Sequence, residues 1–346
     1  MRKTTAHNKV LPKAGLNGFD WAFVQGSIFV LRLNFCAENP RLRQYPNRYV
    51  IPLKTAPHKM KVREEKLKSI IEWSQKNEDV RVLILTSSLV NPLAPVDEFS
   101  DLDIEFIFEN NTNYISDKSW TLNFGNPIAM IEEDESCFNG KHAMKMVLYE
   151  DGIKADFKLY SKSNFIEETQ QKKLPEDWDI GYKILIDKDG IAKQMLKPTY
   201  QISIIKKPSE KEFQNLINDF WWDTTYVAKC LARDEIFYAK FMSETVIRTE
   251  YLIPLIEWHI ASEHNWNITT NKYGRLFKKY LNQEMWTKTE QTFSGSNIKE
   301  NWTALFLMTD LVSEIGTELS KKLEYKYPDK LENDILKYLA GLKPKK

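Results

Sequence analysis

The sequence predicts an α+β protein: a mixed-sheet domain over residues 60–205, followed by a helical domain over residues 206–346. Three observations carry that prediction. Short β-branched and aliphatic runs, bounded by polar loops, fill the middle of the chain. Apolar residues recur every three or four positions after Pro208. Hydrophobic residues make up 42% and charged residues 28% of the chain, a globular balance that excludes disorder and fibrous repeats.

Residues 1–59 stand apart. They hold five prolines (Pro12, Pro40, Pro46, Pro52, Pro57) and no sustained period, and read as an irregular basic extension outside the functional fold. Met60 is the expected start of the periodic chain and a plausible native start. Residues 61–77 carry Leu67, Ile70, Ile71 and Trp73 among charges, the pattern of an amphipathic helix. Residues 80–85 predict a buried strand, residues 91–100 a loop with Pro92 and Pro95, residues 103–108 a second strand and residues 128–131 a third. Residues 144–149 and 153–160 flank Asp151-Gly152 and read as a hairpin, because Asp-Gly suits a tight turn. A last strand is expected at residues 184–186. In the second half, Phe213, Leu216, Ile217, Phe220, Thr224, Val227 and Leu231 form one helical stripe, and further helices are expected over 235–261, 301–323 and 329–342.

Several function classes are disfavoured by composition. No run approaches the roughly 18 apolar residues of a membrane span; residues 28–35 are short and broken by Arg32. Cys36, Cys137 and Cys230 have no paired or metal-ligand spacing, which points to a reducing, cytoplasmic location. Residues 1–60 hold ten Lys or Arg against two acids, leaving 39 basic and 46 acidic residues in the body. An acidic body argues against nucleic acid as a partner and suits a small cationic one.

The chemistry centres on Asp101-Leu102-Asp103 at the entry to a strand. A period of two turns both carboxylates to one face and Leu102 to the other. Hard oxygen ligands suit Mg2+, which commonly bridges carboxylates to nucleotide phosphates. Thr86-Ser87-Ser88 ends the preceding strand, where N–H groups and hydroxyls can hold phosphate. Asp156 lies on a later strand between Lys154 and Lys158; if that strand adjoins the Asp103 strand, a third carboxylate faces the same cleft as metal ligand or proton acceptor.

This constellation resembles the DNA polymerase beta-like nucleotidyltransferase superfamily. The wider sequence resembles the aminoglycoside 6-adenylyltransferase family from about Met60 to the C-terminus. The similarity runs through Val90-Asn91-Pro92, Phe99-Ser100-Asp101-Leu102-Asp103-Ile104, Phe220-Trp221-Trp222, residues 226–233, Tyr238-Ala239-Lys240 and Glu257-Trp258-His259. The resemblance implies adenylyl transfer from ATP, as co-substrate, to the 6-hydroxyl of streptomycin. It assigns Asp101 and Asp103 to the metal pair, Asp156 to the third acidic position and Ser88 to the phosphate motif. Two positions depart from that family: its glycine is Ser87 here, and the arginine that often follows the serine is Leu89.

On the first long helix, Trp222, Tyr226, Lys229 and Arg233 share a face roughly opposite the core stripe. The two cations suit the leaving pyrophosphate, with Lys240 in a similar role, and the rings suit ligand packing. Asp219 and Asp223, at i and i+4, suit a guanidinium-bearing aminocyclitol. Glu250 is a second acceptor-side candidate, behind Asp156 as base, and His259 reads as structural. The expected activity is magnesium-dependent AMP transfer to streptomycin or a related aminoglycoside. The alternatives are transfer to another small alcohol and a nucleotide-binding protein that has lost catalysis. Neither membrane nor nucleic acid is expected as a partner, and the expected assembly is a monomer or weak homodimer.

Overall fold

The computed structural model describes residues 56–344; the basic extension up to residue 55, with Cys36, lies outside them. Helix α1 (Ala56–Lys76) begins five residues before the expected 61, so Met60 sits inside a continuous helix. Pro57 does not prevent this, since the first helical turn leaves its N–H groups unbonded anyway. Ile70 of α1 is buried, with Leu67, Ile71 and Trp73 packed around it against the sheet.

The sheet has six strands: β1 (Val80–Thr86), β2 (Leu102–Phe108), β3 (Pro127–Glu133), β4 (His142–Tyr149), β5 (Lys154–Ser161) and β6 (Tyr182–Asp187). Their spatial order is β3-β4-β5-β2-β1-β6. Only β2 and β5 pair in parallel; the other neighbours are antiparallel. β1 and β2 are buried on both faces, as their near-continuous apolar runs require. One face packs Leu83, Leu85, Ile104 and Phe106 against α1, Trp120 and Phe124. The other packs Val82, Ile84, Ile107 and Tyr160 against Phe165 and Trp178, from the short helices α3 (Lys162–Thr169) and α4 (Glu176–Asp179). A further short helix, α2 (Thr112–Ser116), follows β2.

Sheet gives way to helix between Asp187 and Glu210, within one compact unit that spans Lys54–Lys346. Helix α5 (Glu210–Ala232) opens on a capping box in which the Ser209 and Glu212 side chains satisfy each other's backbone N–H. All seven expected stripe residues of α5 are buried. Helix α6 (Ile236–Lys240) runs into a π-helical stretch over Phe241–Leu252 and on into α7 (Ile253–Glu263). Short helices α8 (Phe277–Tyr280) and α9 (Gln283–Gln291) precede the long α10 (Ile298–Leu323) and α11 (Asp329–Leu342). Trp221, Phe213 and Phe220 are fully buried in this core; each such side chain contributes roughly 1.5–3 kcal/mol relative to exposure. Among the described residues, no helix is long and apolar enough to cross a membrane. Cys137 is exposed and Cys230 buried, both as free thiols.

Candidate active site

Parallel pairing of β2 with β5 builds the acidic centre. The register sets Asp103 directly against Asp156, and Leu102 against Ala155 with both buried in the opposite face. Asp101 stands just before β2 on the Asp103 side. The condition that sequence reasoning left open, adjacency of the Asp156 strand, is therefore met. Lys154 braces the group, its Nζ 2.9 Å from Asp156 Oδ2 and 3.6 Å from Asp101 Oδ2.

Electrostatics here follow from burial and crowding. Burial, reinforced by the carboxylates of Asp156 and Asp101, pushes the Asp103 carboxyl up to about 6. Burial also raises Asp101, against the pull of Lys154. Asp156 is 8% exposed, and its Oδ1 has no hydrogen-bond partner. A buried acceptor without a donor is unfavourable unless something else satisfies it.

One step deeper on the same face lies a second charged layer that the sequence reading did not single out. Glu105 pairs in register with Lys158 and is fully buried. Its Oε2 accepts from Trp178 Nε1 at 2.7 Å, and its Oε1 lies 3.4 Å from Lys158 Nζ. Lys158 also donates to Asp177 at the start of α4, holding that carboxyl below its ordinary range. The alternation Asp101-x-Asp103-x-Glu105 was the available signal.

At the end of β1, Ser87–Leu89 forms a 3-10 turn, with Ser87 at φ +66°. Thr86 Oγ1 donates to the Asp103 carbonyl at 3.4 Å, and Ser87 N–H to the Gly181 carbonyl at 3.3 Å. Ser88, the central residue of this turn, is partly exposed.

The helical candidates fall into separate groups. Tyr251 donates to Asp223 Oδ2 at 2.9 Å, and its hydroxyl is held up by burial, by that bond and by the charges of Asp223, Asp219 and Glu250. These four side chains therefore form one acidic patch, whose carboxyls are all raised, chiefly by desolvation. Tyr251 was not anticipated; its position beside Glu250 was the only hint. Trp222 is 62% exposed, and Lys229 lies over the Tyr226 ring at 4.3 Å. Arg233 is exposed, 3.9 Å from Glu235. Lys240 donates to Glu244 at 3.1 Å and to the Ser294 carbonyl at 2.9 Å. His259 is buried, 3.8 Å from Glu318.

Among the described residues, no three His, Cys, Asp or Glu side chains converge as a preformed metal cage. The donor set still fits a magnesium ion, which commonly takes one or two carboxylates and completes its shell with water and substrate phosphates. The unpartnered Asp156 Oδ1 and the raised Asp103 carboxyl mark a place short of positive charge.

The fold is thus a mixed sheet with paired carboxylates beside a serine-rich strand end, followed by a helical region. The family model described as Streptomycin adenylyltransferase matches residues 60–342. The chain belongs to that family, the aminoglycoside 6-adenylyltransferases. It is 30% identical over 287 residues to the Bacillus subtilis (strain 168) aminoglycoside 6-adenylyltransferase, covering 82% of this chain and 98% of that protein. The Campylobacter jejuni enzyme of the same name is 27% identical over 80% of this chain and 96% of its own length. A crystal structure of an aminoglycoside 6-adenyltransferase from Bacillus subtilis aligns at 26% identity and a TM-score of 0.40, over 81% of this chain and 98% of that one.

Proposed function

We propose that the protein transfers AMP from ATP to the 6-hydroxyl of streptomycin, with magnesium bound, releasing pyrophosphate and inactivating the antibiotic. The observation that carries this reading is the register pairing of Asp103 with Asp156 beside Asp101, with one buried carboxylate oxygen left unpartnered. The family relationship supports nucleotidyl transfer to an aminoglycoside-like acceptor; streptomycin and its 6-hydroxyl are the finer part of the proposal.

Asp101, Asp103 and Asp156 would hold the magnesium, which supplies neutralisation of phosphate charge when bound. Ser88, with Ser87 beside it, offers hydroxyl and backbone groups to the phosphates at the end of β1. The acceptor hydroxyl oxygen attacks the α-phosphorus, the bond to the bridging oxygen of pyrophosphate breaks, and the hydroxyl proton passes to Asp156. Lys229 and Arg233 offer cations to the departing pyrophosphate, with Lys240 next in line. Asp219, Asp223 and Glu250 match the guanidinium and ammonium groups of the acceptor, and Trp222 and Tyr226 offer rings to its apolar faces.

Mass analysis of streptomycin after incubation with the protein, ATP and Mg2+ tests the whole proposal. One added AMP, mapped to the 6-hydroxyl, is the expected product. AMP found only on spectinomycin or another aminoglycoside would redirect the acceptor assignment. No adduct and no pyrophosphate with any aminoglycoside would remove the enzyme reading.

A further inference from the structure

Two lysines flank Asp156 at period-two spacing on β5, so all three side chains share one face of the sheet. Their surroundings differ. Lys158 lies inward, its side chain 17% exposed, held by Glu105 and Asp177. Lys154 is the first residue of β5, and its side chain is 39% exposed. Among the described residues its ion-pair partners are Asp156 at 2.9 Å and Asp101 at 3.6 Å, each met through Oδ2. Both are carboxylates that the proposed function gives to magnesium.

An ammonium and a divalent ion that draw on the same oxygens compete for them. Magnesium takes carboxylate oxygens at about 2.0–2.1 Å, closer than an ammonium approaches, and two cations on the same atoms repel each other. The doubly charged ion has the stronger hold. Lys154 is the member of the group able to yield, since its stem is flexible and its head already meets water. Asp156 is not: its side chain is 10% exposed, and its strand is paired on both sides, with β2 and with β4. An ammonium released from Asp156 remains beside Asp101, whose side chain is 41% exposed. A triphosphate that joins the same metal brings anionic oxygens to that opening, and a lysine head pairs readily with such oxygens.

We propose that Lys154 exchanges partners during binding: it pairs with Asp101 and Asp156 until a divalent ion takes those carboxylates, and then pairs with the phosphates of the nucleotide. The exchange rests on Asp101 and Asp156 being metal ligands, and it moves the affinities for metal and nucleotide in opposite directions when the charge is lost. Lys154→Met removes that charge and keeps most of the stem, whereas Lys154→Arg keeps the charge.

Two binding measurements on the full chain test the exchange, and neither needs an acceptor. Mn2+ alone is titrated and read by the loss of the free-ion electron spin resonance signal. The Mn2+ complex of α,β-methylene-ATP, which cannot release pyrophosphate, is then titrated by calorimetry into each chain already saturated with Mn2+. Lys154→Met should bind Mn2+ about tenfold more tightly than the wild type, because one charge-assisted hydrogen bond no longer has to break. Saturated with Mn2+, the same variant should bind the analogue about tenfold more weakly, for want of one such bond to phosphate. Lys154→Arg should follow the wild type in both. A damaged site would weaken both ligands, so tighter metal with weaker nucleotide is not a mark of lost structure. Mn2+ affinity that is unchanged or weaker in Lys154→Met overturns the proposal, as does unchanged affinity for the analogue, or a Lys154→Arg chain that behaves like Lys154→Met. Equal Mn2+ binding by the wild type and an Asp103→Asn chain removes the metal-ligand reading itself, and the exchange with it.

Discussion

Two acidic regions divide the proposed work, and they are built in opposite ways. At the sheet end, Asp101, Asp103 and Asp156 are set by strand register, braced by Lys154 and floored by the buried Glu105–Lys158 pair. On the helices, Asp219, Asp223 and Glu250 occupy an open face on which Tyr251 supplies one hydrogen bond to Asp223. Desolvation raises carboxyls in both regions, but like charges on adjoining strands reinforce it most at Asp103, up to about 6. Hydrogen-bonded strands hold charges at fixed spacing whatever their repulsion, which suits a metal and phosphates. A helical face leaves its side chains free to adjust, which suits an acceptor bearing several cations.

The sharpest break between the regions should come from Asp103→Asn. Transfer is expected to fall by on the order of a thousandfold, the several kcal/mol carried by a lost metal ligand. Thermal stability should hold or rise, since a crowded buried charge is gone. Pyrophosphate release at an ordinary rate from the soluble variant would defeat the assignment.

Next in size is Lys158→Ala, which leaves Glu105 buried without its cation. A loss of about 3 kcal/mol in urea unfolding is expected, as for other broken buried pairs. Asp223→Asn on the open helical face should shift stability by less than about 0.5 kcal/mol. Equal effects at the two positions would erase the distinction between floor and face.

Acid should attack the sheet before the helices. His142 on β4 is buried between Phe138 and Tyr160 with neither ring nitrogen hydrogen-bonded, and burial, with help from Lys158 and Lys141 and against Asp177, lowers it to about 3. Its unfolded value is near 6.5, so the unfolded chain takes the proton first. The stability tied to the neutral ring is complete above pH 6.5 and is lost as pH falls toward 3; at pH 5 about 2 kcal/mol is gone. His142→Phe should flatten the stability profile between pH 7 and 5, and an unaltered slope would refute this origin.

The smallest expected effect on turnover is that of Tyr251→Phe. Freed from its donor, Asp223 should hold the acceptor less well, raising KM for the aminoglycoside about fivefold, near 1 kcal/mol for one hydrogen bond. Metal affinity should stay as it was. A KM that does not move would separate the acidic patch from acceptor binding.

Much of this was legible in the residue order, for identifiable reasons. Strands β1, β2, β4 and β5 and the α5 stripe follow from short β-branched and aliphatic runs and three-to-four spacing, which local sequence encodes directly. Asp101 and Asp103 were recognisable because alternation alone sends them to one face. Glu105 has the same alternation but was passed over, because only burial distinguishes it from a solvated strand acid. The early start of α1, the π-helical stretch around Glu250 and the short α8 and α9 leave weak periodic signals. Lys240 is bound to Glu244 and Ser294, a fact about two distant segments that spacing does not carry.

The sequence by itself determined which residues had the chemistry: three carboxylates with strand periodicity, a polar strand end and an acidic helical face. Tertiary structure decided which of them meet. Asp156 faces Asp103 because β5 enters the sheet parallel to β2, a pairing between segments about fifty residues apart that no local pattern specifies. The turn at Ser87 is fastened through its N–H to the carbonyl of Gly181, nearly a hundred residues later. Register and close approach are properties of the packed chain, since each depends on backbone groups that the residue order does not distinguish.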